Sequence, residues 1–152
     1  MSAKSMNGQT LRAHMTVHDA KEAIAFYAKA FGATELFRLT EPSGRIGHAE
    51  IRIGDSVLML NDEYPDFGAR SPAATGGSPV AFYIQVPDAD KAVDHAIKAG
   101  ATLVRPVEDQ FYGDRSGMVA CPFGYRWSLS TTKEIVNPDE MQKRWSKMLQ
   151  GA

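Results

Sequence analysis

Apolar residues recur along the chain in two alternating periods. Between about Leu11 and Val17 every second residue is apolar, with Ala13, Met15 and Val17 set against Arg12, His14 and Thr16. Period two predicts a strand with one covered face. Asp19 then reads as a helix N-cap with Glu22 three residues on. Ala23, Phe26, Tyr27, Ala30 and Phe31 fall on one helical stripe, which Gly32 ends as the C′ residue. Strands follow near Thr34 to Leu39, Ile46 to Ile53 and Ser56 to Asn61, separated by the turn signals Pro42-Ser43-Gly44 and Gly54-Asp55. The order is βαβββ.

The same order then returns. Val17-His18-Asp19-Ala20 and Phe31-Gly32-Ala33-Thr34 reappear as Val86-Pro87-Asp88-Ala89 and Ala99-Gly100-Ala101-Thr102, offset by 69 residues at the Asp and 68 at the Gly. A strand near Val80 to Val86 leads into a helix from Asp88 to Ala99 with the stripe Ala89, Ala92, Val93, Ala96 and Ile97. Strands near Thr102 to Pro106, Arg115 to Ala120 and Tyr125 to Thr131 complete the copy. A duplicated module is therefore the organising fact. Residues 62 to 79 carry Pro65, Gly68, Pro72, Gly76, Gly77 and Pro79 without periodicity and read as the connection. Asn137-Pro138 opens a last amphipathic helix with Met141, Trp145, Met148 and Leu149 on one side, able to cap the fold or to pack on a second subunit.

The fold class expected is α+β, with two paired βαβββ modules forming a curved mixed sheet around a cavity, plus a C-terminal helix. The boundaries are a loose N-terminus at 1–9, a first module at 10–62, a linker at 63–79, a second module at 80–132 and the helix at 133–152. At 152 residues with 43% apolar side chains, the chain can bury a real core. A net charge of −1 without clustering advertises neither a nucleic acid nor an anionic membrane, so a small molecule or another protein is the expected partner. The single cysteine, Cys121, excludes an internal disulfide framework. No apolar stretch of about 18 residues appears, and a reducing cytoplasm is expected. Cys121 precedes the turn Pro122-Phe123-Gly124 and reads as inert.

Alternation divides each strand into a helix-covered face and a second, unusually polar one. Arg12, His14 and Thr16 share such a face, as do His48, Glu50 and Arg52. In the second copy Ala81, Tyr83 and Gln85 oppose Phe82, Ile84 and Val86, while Arg126, Ser128 and Ser130 oppose Tyr125, Trp127 and Leu129. Arg52 and Ser130 read as solvated; the others line a cavity if the sheets curl toward each other. Asp114 with Arg115 reads as a loop-bracing ion pair or as a ligand contact. Gln110 and Tyr112 beside them offer a platform for stacking and hydrogen bonding. His18 and His95 read as exposed helix-edge residues.

Val-x-Asp-Ala-x-x-Ala-Ile-x-Phe-Tyr leading to Phe-Gly-Ala (Val17 to Ala33), His48-Ala49-Glu50 before Ile53-Gly54-Asp55-Ser56, and Asp109 to Arg115 with Pro122-Phe123-Gly124-Tyr125 together resemble the vicinal oxygen chelate superfamily. That superfamily includes glyoxalase I, extradiol dioxygenases and the fosfomycin and bleomycin resistance proteins; the nearest likeness is to its demethylubiquinone-methyltransferase-like branch. The resemblance covers about residues 10 to 132 and implies paired modules around a cavity, usually in a dimer that shares or exchanges them. It places the metal ligands of metal-using members at Arg12, Met59 (or Leu58), Ala81 and Ser128, none of which suits a divalent ion. The usual metal site is expected to be missing.

Two functions follow. The first is a binding protein that holds a small aromatic or polar organic molecule in a groove between modules, with Arg12, His14, His48, Glu50, Met59, Tyr83, Gln110, Tyr112, Arg115 and Arg126 as ligand-binding residues, no cofactor and a homodimeric state. The alternative is a lyase, isomerase or dioxygenase of the same superfamily. It is either metal-free, with Glu50 or His48 as base beside Arg12 or Arg126, or built on a displaced divalent transition metal at His14, His48 and Glu50.

Overall fold

Two four-stranded mixed sheets carry the molecule, in a computed structural model that describes residues 9–151. The first module runs β1 (His14–Thr16), α1 (Ala20–Phe31), β2 (Thr34–Thr40), β3 (Ile46–Ile53) and β4 (Ser56–Asn61). A single 3-10 turn (Pro65–Phe67) and the short helix α2 (Pro72–Thr75) sit in the connection, which the sequence reads as structureless. The second module runs β5 (Ala81–Gln85), α3 (Ala89–Lys98), β6 (Thr102–Asp109), β7 (Asp114–Ala120) and β8 (Arg126–Thr132), and α4 (Pro138–Gln150) closes the chain. The sheet orders are β1-β4-β3-β2 and β5-β8-β7-β6, with β1 parallel to β4, β5 parallel to β8 and every other pairing antiparallel. Both sheets are curved and neither closes. The loose segment expected at 1–9 lies, apart from Gln9, outside the described residues.

The repeated Val-x-Asp motif is a repeated helix start. The Asp19 carboxylate accepts from the Glu22 backbone N–H at 3.1 Å, and Asp88 does the same for Lys91 at 3.1 Å. Gly32 ends α1 in the left-handed region at φ 69°, where a side chain would be strained. Strand β1 is shorter than the alternation predicts, for a local reason. Ala13 still accepts from the Met59 N–H, but two residues further along β4 the Gln9 side chain takes over, accepting from the Val57 N–H at 2.9 Å and donating to the Val57 carbonyl at 3.2 Å. A side-chain amide thus satisfies the β4 edge that a longer strand would have paired.

Helix α1 joins the modules. It covers Met15, Val17, Ala49, Ile51 and Leu60 of its own module while its aromatic side chains reach the second module's sheet, and the buried residues of both form one core. Tyr27 and Phe31 lie 5.1 and 4.8 Å from the Trp127 ring, and Phe82 stacks on the other side of that indole at 4.5 Å. The Tyr27 hydroxyl meets the buried Cys121 sulfur at 3.3 Å, and the Tyr125 hydroxyl donates to the Thr16 carbonyl at 3.0 Å. The stripe predicted for α3 holds except at Ile97, which is exposed.

Helix α4 buries none of its own residues, so it does not cap the core. Lys133 and Glu134 N–H groups both donate to the Gly113 carbonyl, and Arg144 donates to the Phe111 carbonyl at 3.1 Å. Gly113 has φ +100°, and a Cβ there would collide with the Glu134 carbonyl, so this docking point requires glycine.

Because one core serves both modules, urea unfolding is expected to be a single transition with coincident fluorescence and circular dichroism midpoints. Trp127→Ala should lower the unfolding free energy by about 3–5 kcal/mol. Trp127→Phe should cost less, because the indole N–H it removes is buried without an acceptor among the described residues.

Candidate functional site

The core occupies the helix side of both sheets, which leaves the opposite face of each as a surface of polar side chains. On the first, β-ladder register aligns His14, Met59, Glu50 and Phe37 in one row across four strands. Glu50 is 1% exposed although it lies away from the core. One carboxylate oxygen accepts from Arg12 Nη1 at 3.5 Å, and the other meets His48 Nε2 at 3.0 Å. The His48 ring lies between those of His14 and Phe37, with centroids at 5.9 and 5.7 Å. A buried carboxyl flanked by a guanidinium and an imidazole is a satisfied polar cluster, and removing one member strands the others.

The second face is built of hydroxyls. Tyr83 leaves the edge strand β5 and crosses β8, so that its hydroxyl donates to Asp114 Oδ2 on β7 at 2.5 Å and lies 2.7 Å from Ser130 Oγ. Ser130 also donates to Asp114 Oδ2, at 3.0 Å. The Tyr83 ring is 52% exposed, whereas Ser116, Ser128 and Ser130 are buried. Burial, and then the hydrogen bond to Asp114, push the Tyr83 phenol well above the usual tyrosine range. Tyr112 OH reaches Ser116 Oγ at 3.5 Å, and the Gln110 amide donates to the Ser116 carbonyl at 3.4 Å.

These placements sort the predicted residues. Arg12, His14, His48, Glu50 and Met59 come together on the first face; Tyr83, Gln110 and Tyr112 come together on or beside the second. Arg126 is exposed at the start of β8, on the side of Ser128. Arg115 belongs elsewhere: alternation turns it to the helix side, where it bridges Asp90 at 2.7 Å and Asp109 at 3.1 Å. The Asp114–Arg115 ion pair is thus corrected, because neighbours on a strand point to opposite faces. Ser130, expected to be solvated, is buried, whereas Arg52 is exposed as expected. The partnership of Asp114 with Tyr83 was missed; the signal available was that both lie on the non-helix side of their strands.

The two polar faces make no hydrogen bond or ion pair with each other among the described residues. A cleft of about 530 Å³ does run between the modules, bordered by Ala13, Phe31, Leu58, Phe82 and Trp127. Of the predicted ligand-binding residues only Tyr83 borders it.

Paired βαβββ modules sharing one helical core, with polar outer sheet faces, define the class of protein. The model of the Glyoxalase/Bleomycin resistance protein/Dioxygenase superfamily matches residues 9–129, and the chain belongs to that superfamily. An uncharacterized protein of Mycobacterium tuberculosis is 45% identical over 144 residues, covering 93% of this chain and 85% of its own. The crystal structure of a gene product of Arabidopsis thaliana superposes with a TM-score of 0.65 at 29% identity, covering 80% of this chain and 98% of the other. TioX from a Micromonospora species has the same fold, with a TM-score of 0.63 at 22% identity over 85% of this chain and all of TioX.

Divalent ions are held by oxygen, nitrogen or thiolate donors, and the resemblance assigns the ligand positions of metal-using members to four residues here. Arg12, Met59, Ala81 and Ser128 stand at the expected positions, and a guanidinium repels a divalent ion. No group of three or more His, Cys, Asp or Glu side chains among the described residues is arranged to hold a metal ion. At the displaced position, His48 Nε2 is engaged by Glu50.

The phenols give a pH test. Tyr27, Tyr83 and Tyr125 are held above the usual tyrosine range chiefly by burial, and Tyr64 by its hydrogen bond to Glu41. A raised phenol pKa contributes stability that is present below about pH 10, where unfolded tyrosine stays protonated. Above that pH the unfolded chain sheds protons that the native one retains, so stability falls as pH rises. Near-ultraviolet titration of the native protein should show most of its 5 tyrosines ionising only as it unfolds.

Proposed function

We propose that the chain binds a small aromatic or polar organic molecule on the polar faces of its sheets, in a groove that a second copy of the chain completes and without the superfamily's usual metal site. The observation that carries this reading is the occupancy of the first face. Where metal-using relatives place a ligand, Arg12 instead contacts the buried Glu50, which also holds His48. Such a wall fixes the orientation of a ligand by polar contacts while Phe37, Met59 and Tyr83 supply apolar area. The separation of the two faces within one chain supports the homodimer, since a groove with two walls then needs a second copy. No helix of the described residues is long and apolar enough to cross a membrane, and the buried lone cysteine suits a reducing cytoplasm.

One observation favours catalysis as a second reading. His48 and Glu50 lie 3.0 Å apart beside the Arg12 guanidinium, the parts of a metal-free lyase or isomerase: a proton carrier and a cation for a developing oxyanion. A displaced transition metal at His14, His48 and Glu50 is the other form of that reading.

Sedimentation of the purified chain should give a dimer, and screening small aromatic compounds by thermal shift should find stabilising ligands. Glu50→Gln should then weaken binding about tenfold, ~1.4 kcal/mol, by calorimetry. A monomer that binds with full affinity would refute the shared groove. A near-stoichiometric transition metal by plasma mass spectrometry, lost in Glu50→Gln, would move the conclusion to the enzyme.

A further inference from the structure

Asp114 is a carboxylate whose partners, among the described residues, are all neutral. Both contacts to its Oδ2 come from hydroxyls, those of Tyr83 and Ser130. The cation next in sequence, Arg115, is turned through the sheet and held by Asp90 and Asp109, and no ion pair reaches Asp114. Beside it lies the exposed ring of Tyr83, kept against the sheet because its hydroxyl is fixed at the far end. Tyr112 stands on the other side of Ser116. The first module's face differs, because its carboxylate, Glu50, is held by a guanidinium and an imidazole, those of Arg12 and His48.

Resting on the reading that these faces bind an organic molecule, we propose that Asp114, Tyr83 and Tyr112 form a subsite for a protonated amine attached to a flat or aromatic body. Tyr83 serves as the platform. Its phenolic proton is committed to Asp114, so it presents a ring face and oxygen lone pairs, both of which attract an ammonium group. Asp114 supplies the opposite charge, and a hydrogen bond from an ammonium to a carboxylate is among the stronger polar contacts. The ligand is thereby oriented with its cationic end on the second module.

The experiment is calorimetric titration of the intact chain with benzylamine, benzyl alcohol and benzoate. Benzylamine should bind about tenfold tighter than benzyl alcohol, and benzoate more weakly than either. Asp114→Asn, which keeps an acceptor for Tyr83 and Ser130, should erase the preference for benzylamine over benzyl alcohol. Tyr83→Ala should weaken both. Equal affinity of the native chain for benzylamine and benzyl alcohol, or a preference that survives in Asp114→Asn, overturns the subsite. If benzyl alcohol still binds in that case, the groove stands and the subsite alone falls; if none of the probes binds, both fall.

Discussion

Everything in this molecule depends on α1 packing against two sheets at once. A sheet flanked by one helix buries one face, and an isolated module of some fifty residues would be marginal. Tyr27 and Phe31 solve this by reaching past their own sheet to Trp127, which Phe82 covers from the other side. The two halves become one core. Because that core uses the helix side of both sheets, neither polar face is consumed in making it.

The same constraint explains the burial pattern on those faces. Buried polar groups persist only when their hydrogen bonds are satisfied, and both faces meet that condition by different means. On the first, Glu50 is placed between Arg12 and His48. On the second, the buried serines lie under Tyr83, and Ser130 is satisfied by Asp114. Removing either partner would strand the buried Glu50 charge. The second face is less charged and more exposed, with a tyrosine ring at its surface.

Elements were legible in the sequence because their signals were local. Asp19 and Asp88 announced the helix starts, the turn residues separated the strands, and alternation named the polar faces. The end of β1 was not legible, since it depends on Gln9 meeting Val57 forty-eight residues away. Arg115 was misplaced because the strand expected from Arg115 begins one residue earlier, at Asp114, which makes the two residues strand neighbours on opposite faces. Of the site, the Arg12–Glu50–His48 wall followed from strand phase and a superfamily resemblance. The Tyr83–Asp114 contact spans three strands: alternation puts both residues on the non-helix side, and the sheet order brings them together.

The duplication also bears on how the faces are used. His14 pairs with Met59 in β1–β4 as Tyr83 pairs with Ser128 in β5–β8, so the two modules hold equivalent positions in one register. Their chemistry has diverged nonetheless: imidazole against phenol, thioether against hydroxyl. Under the proposed homodimer, a two-fold axis repeats every contact between residues i and j. If the first face of one copy lies opposite the second face of the other, two identical grooves result, each with the Arg12–Glu50–His48 wall opposite the Tyr83–Asp114 wall. Pairing like faces would instead give two unlike grooves, one with Arg12 facing Arg12 and one with Asp114 facing Asp114. Only the meeting of unlike faces would give every groove of such a dimer both chemistries.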